Sequence, residues 1–317
     1  MNLTALKDQP RLLLEAKLKP LQGSRFQPTG FPDLGAATFD AVVEGNTVKM
    51  LLVESAQSMA NRFEAVCWDS VNNNWVTPLK GLPAVLVNDK AGNALTNSVL
   101  EAHRLNSAYI TNAKGFDEIK TAIAFDANKP LNLSSLVKAL LKYDPNSLLH
   151  GIFLEKIAGV IRLPRALTGF IEAREVTTVA SGGVKNDRVK ATKEEGKTAK
   201  EGFGNVPFHR EEFTGDITAF FNLDLALIRG FGLGEDVENL LIAISLFKIQ
   251  KFLQVGLRLR TACDLDLVEL KVTRPEKDFT MPDIKEIEAA LPGLIAAALP
   301  KFDEGKSDRF TTLSFED

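Results

Sequence analysis

EDVENLLIAISLFKIQKFLQVGLRLRTACDLDLVEL, residues 235–270, changes its apolar period partway along, and that change sets the fold class. Over 236–255, Val237, Leu240, Leu241, Ile244, Phe247, Ile249 and Leu253 recur at helical spacing, which predicts an amphipathic helix. After Gly256 the repeat shortens to two. Leu257, Leu259, Thr261, Cys263, Leu265 and Leu267 alternate with Arg258, Arg260, Asp264 and Asp266, which predicts one long strand with a buried face. A helix feeding a half-buried strand implies a sheet with helices packed against it.

Upstream, RLLLEAKLKP (11–20) carries Leu12, Leu14, Ala16 and Leu18 at period two and reads as another such strand. QGSRFQPTGFPDLG (22–35) follows as a loop, because Pro28 and Pro32 cannot donate to a ladder. A short strand over 50–53 leads into SAQSMANRFEAVCW (55–68). There Ala56, Met59, Ala60, Phe63 and Cys67 share one helical face, opposite Gln57, Ser58, Asn61 and Arg62. Residues 72–97, punctuated by Pro78, Gly81, Pro83 and Gly92, read as loops with short strands, and 99–105 as one or two helical turns. Residues 134–143 form a helix behind an Asn132/Ser134 capping signal, and 151–178 two strands around Pro164. A terminal helix over 281–299, interrupted at Pro292, precedes a polar tail from 301. The order strand, helix, two strands, helix, strand, with long insertions, fits an α+β fold with a split βαββαβ sheet.

SGGVKNDRVKATKEEGKTAKEGFG (181–204) differs from everything around it. It has too few sizeable apolar groups to bury a core, so it reads as a long projection or loop.

The 317 residues, 45% apolar and 25% charged, describe an ordinary globular chain. Thirty-eight Lys and Arg against 41 Asp and Glu leave a formal charge of -3, so a polyanionic partner would have to bind a local patch. Cys67 and Cys263 have neither disulfide nor zinc spacing, which fits a reducing cytoplasm. Charged residues at 7, 8, 11, 15 and 17 break any signal-peptide core, and the apolar runs at 240–246 and 294–299 are too short to span a bilayer. Neither a GxxxxGK[ST] loop nor a metal-ligand cluster is present, so no cofactor and no metal is expected. RGFG (229–232) copies the opening of an RNA-recognition signature but continues as Leu233-Gly234-Glu235 ahead of a helix, and reads as a connection.

Several blocks in order, RFQPTGFPDLGAATF (25–39), VESAQSMANRFEAVCWD (53–69), EAHRLNSAYI (101–110), SGGVKNDRV (181–189), GFGNVPFHREEFTG (202–215) and LRLRTACDL (257–265), carry a family resemblance. Together they resemble the backbone subunit (Cas-seven family, repeat-associated mysterious protein superfamily) of the type I-G, formerly I-U, CRISPR effector complex. The resemblance implies a single elaborated domain over 1–317 with an RRM-like (ferredoxin-like) palm, fingers inserted at 72–150 and a thumb-like projection at 174–214. It implies a non-catalytic protein that lines up in several copies along one CRISPR guide RNA, in a helical filament. The exposed guide bases then pair with target DNA, beside a large subunit and a fused small subunit that holds the RNA ends, with no membrane involved.

Holding RNA of any guide sequence requires contacts to phosphate and sugar, since contacts to base edges would restrict the guide. Gly182 and Gly183 followed by Lys185, Asn186 and Arg188 provide backbone that approaches an anion and cations that neutralise it; the alternative is a solvated loop. Phe203 and Phe208, close to His209 and Arg210, offer rings to splayed bases, or anchors fastening the projection to the palm. Arg25 and Gln27 on the Pro/Gly loop are candidates for phosphate or a neighbouring subunit, and Asn61 and Arg62 for RNA or plain solvent. Arg258 and Arg260 have a spacing that could track an RNA backbone, but they share one side of their strand with Asp264 and Asp266, which describes an ordinary salt-bridged face better, and Arg104 beside His103 is open between the same two readings. The rival is an endoribonuclease with His209 as general acid or base and Arg210 or Lys185 on the developing phosphorane charge. His103, His150 and His209 are the only histidines, and no two fall within one motif.

Overall fold

The computed structural model describes residues 1–31, 35–124, 128, 131–159, 161–185, 206–302 and 309–316. Leu12, Leu14, Ala16 and Leu18 are buried while Glu15, Lys17 and Lys19 between them are exposed, so β1 (Arg11–Pro20) forms as its alternation predicts. The strand β2 (Thr38–Val43), which the sequence did not announce, turns at Glu44-Gly45, both at positive φ, into β3 (Asn46–Glu54). Ser55 then caps α1 (Ala56–Ala65), its hydroxyl accepting from the Ser58 amide at 3.3 Å. The long hairpin β4 (Leu167–Lys185) and β5 (Val206–Asp224) leads to α2 (Glu235–Val255), then β6 (Arg258–Arg260), β7 (Cys263–Arg274) and α3 (Ile284–Phe302).

These seven strands make one antiparallel sheet in the order β6-β7-β1-β5-β4-β3-β2. Within it the run β1, α1, β4, β5, α2, β7 gives the spatial order β7-β1-β5-β4. Helices α1 and α2 touch each other and pack on the sheet, and α3 covers the far side of α2. Because both its sides are covered, α2 is buried nearly all round from Val237 to Leu253 and presents no broad polar face. Pro292 does not interrupt α3, whose Leu291 and Ile295 stay buried on either side of it. A second sheet places Ala84–Asn88 between Ala94–Asn97 and a parallel C-terminal strand, Phe310–Ser314, where the sequence showed only a polar tail. The helix Leu133–Tyr143 is capped by Asn132, which accepts from the Ser135 amide at 3.1 Å. Among the described residues no helix is long and apolar enough to cross a membrane.

The expected single strand from 257 is instead two. The chain reverses at Thr261-Ala262, and Arg258 lies across the ladder from Asp264 rather than in one row with it. Period-two alternation is the same on both sides of such a turn, so it could not reveal the reversal. Residues 181–185, expected in a loop, continue β4. The hairpin changes direction at a bulge, where Glu175 and Val176 stand opposite Gly215 alone. A Cβ on Gly215 would lie 2.8 Å from the Arg174 carbonyl oxygen and 2.9 Å from a Val176 methyl, so glycine is what the bulge admits. Beyond the bulge the two strands, residues 177–185 and 206–214, project as an arm.

Candidate nucleic-acid interface

Where β1 ends, the chain runs on beside the arm. Phe26 and Phe213 exchange main-chain hydrogen bonds of 2.9 and 2.8 Å, and both rings are buried, which fixes the 21–27 loop against the foot of the arm. The Gln27 amide donates to the Ala262 carbonyl at 2.7 Å, so the turn between β6 and β7 is tied to the same loop. These three segments enclose a groove of about 430 Å³ whose walls include Arg25, Arg258, Thr261 and Glu212.

Charge in the groove is organised by Glu212, a buried carboxylate. One oxygen receives the Arg210 guanidinium at 2.7 Å and the other the Arg25 guanidinium at 3.5 Å. Arg258 is exposed at the rim. Arg210 also lies over the Phe208 ring, 5.9 Å from its centre. Further out, Gly182 stands opposite His209 and Gly183 opposite Phe208. A side chain at Gly182 would meet the Phe208 carbonyl oxygen at 2.4 Å, and the Phe208 ring lies against Gly183. Phe208 is 45% exposed and His209 is exposed. Lys185 ends β4 opposite Val206. Asn186, Arg188 and Phe203 lie outside the described residues.

A second carboxylate, Glu54 at the end of β3, gathers the other arginines. Arg62 donates to it at 2.9 Å and to the Leu259 carbonyl at 2.8 Å. Arg260 pairs with Glu54 and donates to the Gln27 carbonyl at 2.9 Å and the Val53 carbonyl at 3.2 Å, and Ser58 also donates to Glu54. With 1% exposure Glu54 needs these partners, so Arg62 and Arg260 are largely committed to the fold. Arg258, exposed at the groove rim, and Arg260, paired with Glu54, lie in different surroundings. Asn61 remains exposed on α1, away from the ion pairs.

Arg104 belongs to the interior. It is 4% exposed, and its guanidinium holds both oxygens of Glu64 at 2.6 and 2.8 Å, which removes it from any surface contact with RNA. His103 beside it is exposed. The same interior network contains Lys248, whose ammonium donates to Asn146 at 2.5 Å and lies 2.7 Å from the ring of His150. Burial pushes the Glu64 carboxyl up to about 7 against the pull of Arg104 and Lys248, and burial with the nearby Lys248 charge holds His150 well below the usual imidazole range. These groups join α1 and α2 to residues 104–150, and sequence reasoning missed them because Lys248 and Glu64 sit among helical residues that looked solvent-facing.

Glu212 and Glu54 were also missed. Each is a single acidic residue at a strand position, and only the crossing loop that buries it gives it meaning. Among the described residues, no group of three His, Cys, Asp or Glu is placed to hold a metal ion.

No curated protein matches the chain. Among solved structures, a chain of a CRISPR RNA-guided surveillance complex, pre-nicking, aligns at a TM-score of 0.40 with 12% identity, covering 97% of this chain and 96% of that one. A chain of a CRISPR RNA-guided surveillance complex aligns at 0.36 with 12% identity, over 94% of this chain and 78% of that one. Csc2 of Thermofilum pendens aligns at 0.32 with 9% identity, over 95% and 83%. The sequence itself matches the family described as CRISPR-associated protein GSU0053 over residues 12–178, more than half of its length. The chain therefore belongs to the CRISPR-associated protein GSU0053 family.

Proposed function

We propose that this chain is a guide-RNA-binding backbone subunit of a CRISPR interference complex of the type I-G variety. In this reading β7-β1-β5-β4 with α1 and α2 is an RRM-like palm, residues 72–150 supply fingers, and residues 174–214 a thumb laid over the stretch of guide held by a neighbouring copy. Copies of the chain coat one guide in a helical filament, beside a large subunit and a fused small subunit, and the displayed bases pair with target DNA. The chain performs no cleavage.

The observation that carries the reading is the convergence of Arg25, Arg210 and Arg258 at the foot of the arm, in a chain whose formal charge is -3. Guanidinium forks on a mildly acidic protein mark a local anion site, and they recognise phosphate whatever base it carries. Phe208 beyond them adds a ring that stacks on any base.

The deciding experiment is salt-dependent binding of two guide RNAs of unrelated sequence. Replacing Arg25 and Arg258 by Ala should weaken both alike and flatten the log–log salt slope by about 0.7 for each phosphate no longer neutralised. An unchanged slope removes the groove from the site. Recovery of RNA-free particles from cells expressing an intact array and all partner genes overturns the function itself. Incubation with labelled precursor RNA, with and without magnesium, should leave the RNA intact; cleavage that His209→Ala abolishes would establish the endoribonuclease reading instead.

A further inference from the structure

We infer that Glu212 competes with the guide strand for Arg25, as a built-in carboxylate that takes the place of a phosphate in the arginine groove and releases Arg25 when RNA enters. This rests on the reading of the groove as an RNA site. A carboxylate and a phosphate present similar oxygen pairs to a guanidinium, so one can stand in for the other.

The two bonds to Glu212 are unequal. Arg210 holds it at 2.7 Å from a partly sheltered position, with its side chain 34% exposed. Arg25 reaches it at only 3.5 Å from a side chain 53% exposed. Glu212 itself is 4% exposed, and a buried carboxylate needs at least one close cation, which Arg210 provides alone. Arg25 is the exchangeable partner. The reciprocal main-chain bonds between Phe26 and Phe213 fix the backbone next to both residues, so a swing of the Arg25 side chain requires no movement of the loop. Arg258 at the rim of the same groove has Asp264 across its ladder, so Glu212 is the carboxylate that Arg25 faces before RNA binds.

The full-length chain would be titrated with two labelled single-stranded RNAs of unrelated sequence over a salt series, as wild type, E212Q, R25A and the R25A/E212Q double variant. Removing the competing charge in E212Q should tighten both RNAs about two- to fivefold. It should also steepen the salt slope by up to about 0.7, a change that a purely structural role would not produce. In the R25A background most of that gain should vanish. Unchanged affinity and slope in E212Q, or an equal gain without Arg25, overturns the inference. A second measurement uses wild type alone and so holds even if E212Q fails to fold. Nitrogen-15 spectra of the arginine side chains should show the Arg25 signal shifting on saturation with RNA while that of Arg210 stays in place. Binding with the Arg25 signal unmoved overturns the inference alone; no binding by wild type at low salt overturns the RNA reading along with it.

Discussion

On either side of Gly215, β4 and β5 make the same antiparallel ladder under opposite conditions. Toward the centre of the sheet, Leu167, Ile171 and Ala173 face Leu223, Ala219 and Ile217 across the ladder, all buried, with β1 on one flank and β3 on the other. Beyond the bulge, Thr177, Thr178, Ala180, Gly182, Gly183 and Val184 are exposed, and support from outside the hairpin is found at its foot, where Phe26 bridges Phe213 and Arg25 reaches Glu212. A two-stranded ribbon without a buried face is marginal by itself in water. The half within the sheet is therefore stabilised by what its side chains bury, whereas most side chains of the outer arm stay exposed. One hairpin serves as both core and reach because a single bulge separates the two uses.

From that division, removing a large side chain on the half within the sheet should damage stability most. Phe221 is 2% exposed and its ring meets Phe63 and Phe252 at centroid distances of 6.0 and 6.5 Å. Phe221→Ala should lower the unfolding free energy by about 3–5 kcal/mol in denaturant titrations. The molecules that remain folded should bind RNA with wild-type affinity. Weaker binding in that folded fraction would show that the arm and the sheet are not separable.

The junction should come next. Gly215→Ala forces a Cβ against the Arg174 carbonyl, and relieving that clash requires the bulge to open. A cost of about 1–3 kcal/mol is expected, together with weaker RNA binding, because the arm is re-aimed relative to the groove. Reduced stability with RNA affinity intact would mean that the direction of the arm is irrelevant to binding.

The main sheet was legible in the sequence where one face is buried and the other wet, as in Arg11–Pro20, because alternation is then the direct imprint of burial. Capping was legible too, since Ser55 and Asn132 act on amides only a few residues further on. What stayed hidden depends on segments far apart in the chain. The reversal at Thr261-Ala262 preserves the alternation, and the C-terminal strand Phe310–Ser314 is made by its parallel neighbour Ala84–Asn88. At the candidate site, Arg25, Phe208, Arg210 and Arg258 were identified from residue type. Their gathering around Glu212 was not, because nothing local distinguishes that glutamate from Glu211 beside it. Arg104 shows the opposite error, a surface-type residue drawn inside by Glu64 forty positions earlier.

The smallest effect on stability should come from the arm itself. Phe208 is 45% exposed and touches mainly Gly183 across the ladder and Arg210 beside it, so Phe208→Ala should change the unfolding free energy by no more than about 0.5 kcal/mol. The same substitution should nevertheless weaken RNA binding by about 1–3 kcal/mol, the contribution of one stacked base. Phe208→Tyr, which keeps the ring, should restore most of the affinity, whereas Phe208→Leu, which keeps apolar bulk, should not. Equal rescue by both would assign the residue to covering Gly183, and the arm would then hold RNA through its cations alone.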